Sequence, residues 1–229
     1  GNTFVSWNWK AGGTAVSNTD GTITSQVSAN VDAGFSIVDC TVTSNLSTAG
    51  HGLPTKPDLV IIKPRNVTSD WNVYHKDLGS DKYLQLNNSN AAGTISGIWD
   101  LIDNTVIGGF YGTYNFIAYC FISIPGYSKV GSYTGTGATG NVQYLGFEPS
   151  FLMWKAAIRP SGGGSWYMYD NKRTTSNPQG QFLQANEPAA EADGSSIFNI
   201  DFNSNGFTIN GTNNEVNQNG STYIFLAIA

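Results

Sequence analysis

The chain has 229 residues, a net charge of −5, and 12 % charged residues against 13 % aromatics. Its 11 Lys and Arg give no basic patch for a nucleic-acid backbone, and no apolar run reaches the roughly 18 residues of a membrane-spanning helix. Aromatics are too plentiful for a disordered chain, and the wealth of Gly, Asn, Ser and Thr suits short strands joined by tight turns.

Taken in chain order, Asn2-Thr3-Phe4-Val5-Ser6-Trp7 reads as a strand, and its pattern recurs at Asn115–Tyr119 and Ser221–Phe225. It is read as the closing strand of a preceding repeat, followed by a linker, over residues 1–30; completion of a sheet elsewhere is the alternative. A first copy follows over residues 31–125. It opens on Gly34-Phe35-Ser36. Leu59–Ile62, bounded by Pro57 and Pro64, is too short and too apolar for a surface helix and suits a buried strand. Trp71–Tyr74 and Tyr83–Leu86 show the mixed pattern of strands with one covered face.

A second copy occupies residues 126–229 and repeats these features in order. Gly126 answers Gly34, and Gly146 answers Gly52. Phe151–Lys155 answers Leu59–Lys63, Trp166 answers Trp71, and Phe182 answers Tyr83. Ile197-Phe198 corresponds to Ile98-Trp99, and Thr222–Phe225 to Asn115–Ala118. The offset widens only at Gly- or Asn-rich stretches, where insertions are tolerated. Glu187–Asp193 is the one stretch suited to a short turn of helix. The sequence therefore predicts an all-β protein: two tandem copies of a β-sandwich, jelly-roll-like, with barrel closure as the alternative.

Candidate chemistry is thin. His51 precedes a turn glycine, His75 lies in a strand opposite Asp170 of the repeat, and no G-x-S-x-G elbow exists. Glu148, Glu187, Glu191 and Glu215 all lie in the second copy. Glu187, Glu191 and Asp193 cluster in sequence, but a solvated loop accounts for them better than a glycosidase pair. Asp201–Gly206 begins like a calcium loop, yet its twelfth position is Thr212, so a hairpin at Asn205-Gly206 is the simpler reading. Two cysteines and two histidines make no zinc site. Cys40 and Cys120 would pair only on neighbouring strands, and nothing else marks a disulfide scaffold. Trp7, Trp9, Trp71, Trp99, Trp154 and Trp166 suit either sugar stacking or a core; the repeat-equivalence of Trp71 with Trp166 and of Trp99 with Phe198 favours core. No catalytic, metal or cofactor residue is assigned, and the ligand-binding residues are left open.

Several segments together carry a resemblance: GNTFVSWNWKAG, TDGTITSQVSANVDAGFSIV, HGL with KPDLVIIKPRN, WNVYH, IPGYSKVGSYTGTG and NGSTYIFLAIA. In that order they resemble an uncharacterised β-domain repeated near the C-termini of large virion proteins in marine cyanobacterial phages. The longer turn in HGLPTKPD, against LGFEPS, departs from the pattern. The resemblance implies a virion surface component, extracellular and not an enzyme: a tail fibre, a spike or a capsid-attached decoration with a role in host attachment. Its implied partners are other virion proteins, further copies of itself (a homo-oligomer such as a trimer) and a host-surface glycan, with no nucleic acid, membrane insertion or cofactor. It also makes Gly1 an internal point of a longer protein. The alternative function is a carbohydrate-binding module or lectin of a secreted protein.

Overall fold

The computed structural model describes residues 4–229. Its strands, in chain order, are β1 (Val16–Asn18), β2 (Ser25–Asn30), β3 (Phe35–Thr41), β4 (Ala49–Gly50), β5 (Leu59–Pro64) and β6 (Asn72–His75). Next come β7 (Lys82–Gln85), β8 (Gly93–Thr94), β9 (Val106–Ile107), β10 (Asn115–Phe121), β11 (Ser128–Thr134), β12 (Asn141–Tyr144) and β13 (Phe151–Ile158). The last are β14 (Trp166–Asp170), β15 (Gln181–Gln184), β16 (Ala192–Asp193), β17 (Ile200–Asn203), β18 (Gly206–Ile209) and, after helix α1 (Asn214–Asn217), β19 (Thr222–Ile228). An 8-stranded sheet has the order β1-β2-β3-β10-β5-β6-β7-β8, and a 6-stranded sheet the order β11-β19-β13-β14-β15-β16. Two small sheets, β12-β18-β17 and β4-β9, complete the fold. The protein is all-β and layered as a sandwich.

The apolar runs explain the layering. Side chains of a strand alternate between faces, and in β5 Val60 and Ile62 enter one core while Leu59 and Ile61 enter another. In β13, Leu152 and Trp154 point into a third core, and Phe151 and Met153 join Leu59 and Ile61. The two large sheets thus pack face to face through one shared apolar layer. Each also carries its own core on its outer face: β4 and β9 contribute Ala49 and Ile107 to the first, while β17 and β18 contribute Phe202 and Phe207 to the second. A central strand covered on both sides has no polar face to show, so its sequence does not alternate. Burying each such Leu or Ile side chain contributes about 1.5–3 kcal/mol.

From β3 to β8 and from β11 to β16 the strands follow the same spatial order, with β10 and β19 in corresponding places. Backbone bonds correspond as well. Leu86 N donates to Trp71 O at 2.9 Å, and Ala185 N to Trp166 O at 3.0 Å. Asn87 Oδ1 accepts from Trp71 N at 2.9 Å, and Asn186 Oδ1 from Trp166 N at 2.7 Å. Gly52 and Gly146 both sit at positive φ, 70° and 91°, a conformation that costs glycine little. Trp99 and Phe198 each sit in the turn before a late strand and enter the outer core of their own sheet, against Tyr74 and Tyr167 respectively.

The amino-terminal segment differs from the expected strand and linker. Phe4–Trp7 pairs with no strand; Asn2 and Thr3 lie outside the described residues. Val16–Asn18 and Ser25–Asn30, within the expected linker, are strands: β2 pairs with β3 from Asn30↔Phe35 to Ser25↔Cys40, and β1 pairs with β2. The turn of helix expected at Glu187–Asp193 does not form, because Ala192 and Asp193 are drawn into β16 beside β15. The short helix is α1, whose N-cap Asn213 accepts from Glu215 N at 2.7 Å.

Candidate functional site: an aromatic cleft between the sheets

The shared apolar layer does not close on all sides. Where it opens, a cleft of about 420 Å³ lies between Tyr119, Trp71 and Ile37 of the first sheet and Met168 and Ala185 of the second. Trp7 and Trp9 stand at one end, and beyond them a second recess of about 340 Å³ is bordered by Tyr127, Asn171 and Lys172. Alternation in Trp7-Asn8-Trp9 turns both indoles onto the sheets while Asn8 stays exposed. Trp7 and Trp9 meet Phe151 edge-on, with centroids 5.6 and 5.5 Å away, and Trp9 also meets Phe121 at 6.3 Å.

Asp170 anchors this end. Its carboxylate accepts from Trp7 Nε1 at 3.1 Å, from Arg173 Nε at 2.6 Å, and from the backbone N–H groups of Lys172 and Arg173 at 3.0 and 2.9 Å. Burial pushes its pKa up, but these bonds and the guanidinium charge outweigh burial and hold the carboxyl below its ordinary value. Arg173 also lies 5.3 Å over the Trp7 ring and pairs with Glu191 at 2.5 Å. The result is a fixed indole on a charged clamp.

In the open part of the cleft, Trp71 and Tyr119 lie nearly parallel, 20° apart with centroids at 6.4 Å. Both are half-buried. Trp9 Nε1, Trp71 Nε1 and the Tyr119 hydroxyl take no hydrogen bond within the described residues, leaving polar donors on apolar walls. Rings with free donors suit a ligand that has apolar faces and hydroxyl edges.

The six tryptophans therefore divide. Trp99, Trp154 and Trp166 are core residues, at most 2 % exposed, whereas Trp7, Trp9 and Trp71 line the cleft. The equivalence of Trp71 with Trp166 does not carry equal burial, because Trp166 reaches into the layer between sheets while Trp71 lies at its mouth.

The remaining sequence candidates do not gather at the cleft. His51 is buried, accepting from Leu53 N at 3.1 Å, and burial lowers its pKa. His75 accepts from Asp77 N at 3.2 Å, and burial lowers it to about 4. Glu215 pairs with Arg159 at 2.6 Å, and Asp193 accepts from Ser195 N at 2.8 Å. Glu148 and Glu187 are exposed. Asp201–Gly206 forms the β17–β18 hairpin, with Asp201 accepting from Asn210 Nδ2 at 2.8 Å. Among the described residues no group of three or more His, Cys, Asp or Glu is placed to hold a metal ion. Cys40 and Cys120 lie on neighbouring strands but opposite Phe116 and Ser36, and both are free thiols. No helix of the described residues is long and apolar enough to cross a membrane.

Against known proteins, one family matches residues 1–229, described as Domain of unknown function (DUF7483). The chain belongs to the DUF7483 family. No curated protein and no solved structure matches it. Sequence reasoning on the DUF7483 domain raised Trp7, Trp9 and Trp71 but missed Tyr119, Met168 and the Asp170–Arg173 clamp. Tyr119 sits in an alternating strand that gives no sign of which face opens to solvent. The clamp had a local signal, an Asp followed three residues later by Arg.

Proposed function

We propose that this DUF7483 domain is a structural and attachment module of a phage virion surface, carried on a tail fibre, spike or capsid decoration and contacting a host-surface glycan through its aromatic cleft. The observation that carries the attachment role is the pairing of Trp71 and Tyr119 at the mouth of the cleft, where half-buried aromatic faces stand beside donors without a hydrogen-bond partner among the described residues. Supporting the structural role are the two large sheets fused through one apolar layer, which make a stiff block. The same strand order in both sheets supports descent from a duplicated unit, and the resemblance of the segments quoted above to virion proteins supplies the setting.

The cleft also suits a second reading, a carbohydrate-binding module of a secreted protein. Both readings place a saccharide on Trp71 and Tyr119; they differ in what carries the domain. Binding of labelled protein to cyanobacterial cells, before and after removal of surface polysaccharide, tests the attachment role. Binding that needs the polysaccharide and falls by up to ~10-fold in Trp71→Ala is expected, in line with the loss of one stacking contact. Equal binding by the wild type and Trp71→Ala would overturn the cleft as the attachment site.

A further inference from the structure

The walls of the cleft narrow the kind of saccharide that it can take. Its floor is buried and apolar, formed by Phe35, Ile61, Phe121, Phe151 and Leu226. Half-buried Ile37 lies directly across from Tyr119 in the β3–β10 pairing. Met168 of β14 and Ala185 after β15, both half-buried, form the opposite wall. Among the described residues lining this cleft, none is Asp, Glu, Lys, Arg or His. Asp170 and Arg173, the charged pair beside Trp7, are spent on each other.

The polar groups are one-sided as well. Trp9 Nε1 and Trp71 Nε1 can only donate, and the Tyr119 hydroxyl alone of these three groups can also accept. Asn8 is exposed, and its amide donates to Ser6 Oγ at 3.1 Å. A sugar in the cleft therefore finds donors for its ring and glycosidic oxygens but few acceptors for its own hydroxyl protons. A hydroxyl pressed against Ile37 or Met168 gives up water without a replacement partner. A methyl in the same place gains by leaving water. A carboxylate there meets no cation and loses its hydration outright.

Sugars of one ring configuration can differ at C6 alone, carrying a hydroxymethyl, a carboxylate or a methyl group. We infer that the cleft selects the methyl form, an uncharged 6-deoxyhexose unit, an inference that rests on the saccharide reading proposed above. The apolar face of the ring lies on Trp71 and Tyr119, and the indole N–H groups donate to its oxygens. The C6 methyl seats against Met168 and Ala185. Met168 suits this contact because an unbranched thioether adapts to an irregular apolar surface. It is a specificity-determining residue.

The test titrates the whole chain with methyl glycosides, read by ligand-detected NMR. The 6-deoxyhexose, hexose and hexuronate are compared in the gluco, galacto and manno configurations, D and L. In the best-bound configuration the 6-deoxyhexose is expected to bind about 10- to 100-fold more tightly than the hexose, and the hexuronate not to bind. Trp71→Ala is expected to weaken both neutral sugars alike and leave their ratio unchanged. Met168→Gln, which sets an amide at the seat of the methyl, is expected to bring the two to parity. A preference undiminished in Met168→Gln would overturn that seat. A hexose or hexuronate bound as tightly as the 6-deoxyhexose, and weakened by Trp71→Ala, would overturn the selectivity and leave the saccharide reading standing. Binding of none of these glycosides, or binding indifferent to Trp71→Ala, would overturn both.

Discussion

Trp166 donates its indole N–H to the backbone carbonyl of Gln85 at 2.9 Å, reaching from the second large sheet to the end of β7 in the first. Nearby, Ala92 N donates to Ala157 O at 2.8 Å, so backbone as well as side chain joins the sheets. Around them lies the shared layer of Leu59, Phe151 and their neighbours. Replacing Trp166 by Phe keeps most of the apolar volume but removes the indole donor, leaving the Gln85 carbonyl with the longer bond from Asn88 N at 3.4 Å, at a cost of about 0.5–1.5 kcal/mol. Trp166→Ala adds a cavity and is expected to cost about 3–5 kcal/mol. Urea unfolding followed by fluorescence and circular dichroism checks both values, and the wild type is expected to show one coincident transition by both probes.

Acid is expected to weaken the fold through His75. Its folded pKa, about 4, lies below the ordinary imidazole value of 6.5 because burial disfavours the imidazolium. The unfolded chain therefore takes up a proton first as pH falls. The stability from neutral His75 is complete above about pH 6.5 and is lost between there and pH 4, amounting to about 3 kcal/mol. His75→Asn keeps an acceptor for Asp77 N and removes the titration. The stability of the wild type relative to this variant is expected to drop by that amount between pH 7 and pH 4; a constant difference across that range would contradict the assignment.

Cys40 and Cys120 should be inert in the folded protein. Burial pushes both thiols up to about 12 from 9.0, which cuts the thiolate, the reactive form, by roughly a thousandfold. A thiol-specific chromogenic reagent is expected to label neither residue in native buffer within the time it labels both in denaturant. Fast labelling of either cysteine without denaturant would show that the first outer core opens readily.

How much of this could be read beforehand depends on whether the deciding physics was local. Leu59–Ile62 and Phe151–Trp154 declared buried strands because no other element makes so short an apolar run. The Asn205-Gly206 hairpin declared itself by its turn residues. What stayed hidden was which of two cores each side chain enters, since Val60 and Ile61 are chemically alike and lie on opposite faces. The exposure of Trp71 was hidden too, because it follows from where the second sheet stops covering the first. Glu187–Asp193 misled because its alanines favour helix, while pairing with β15 prevails over so short a segment.

Substitution at the mouth of the cleft should separate binding from folding. Trp71 is half-buried and pairs with Tyr119 at the edge of the layer, so Trp71→Ala is expected to cost less stability than Trp166→Ala while abolishing most saccharide binding. Calorimetric titration with host polysaccharide, alongside thermal unfolding of both variants, checks this split. Equal stability losses in the two would show Trp71 to be a core residue after all.

The most direct test of the virion assignment is immunogold electron microscopy of phage particles, using antibody raised against this DUF7483 domain. Gold confined to surface appendages, whether fibres, spikes or capsid decorations, is the predicted result. Unlabelled particles, with the antigen recovered free in the medium, would contradict it and leave a secreted saccharide-binding module as the reading of the cleft.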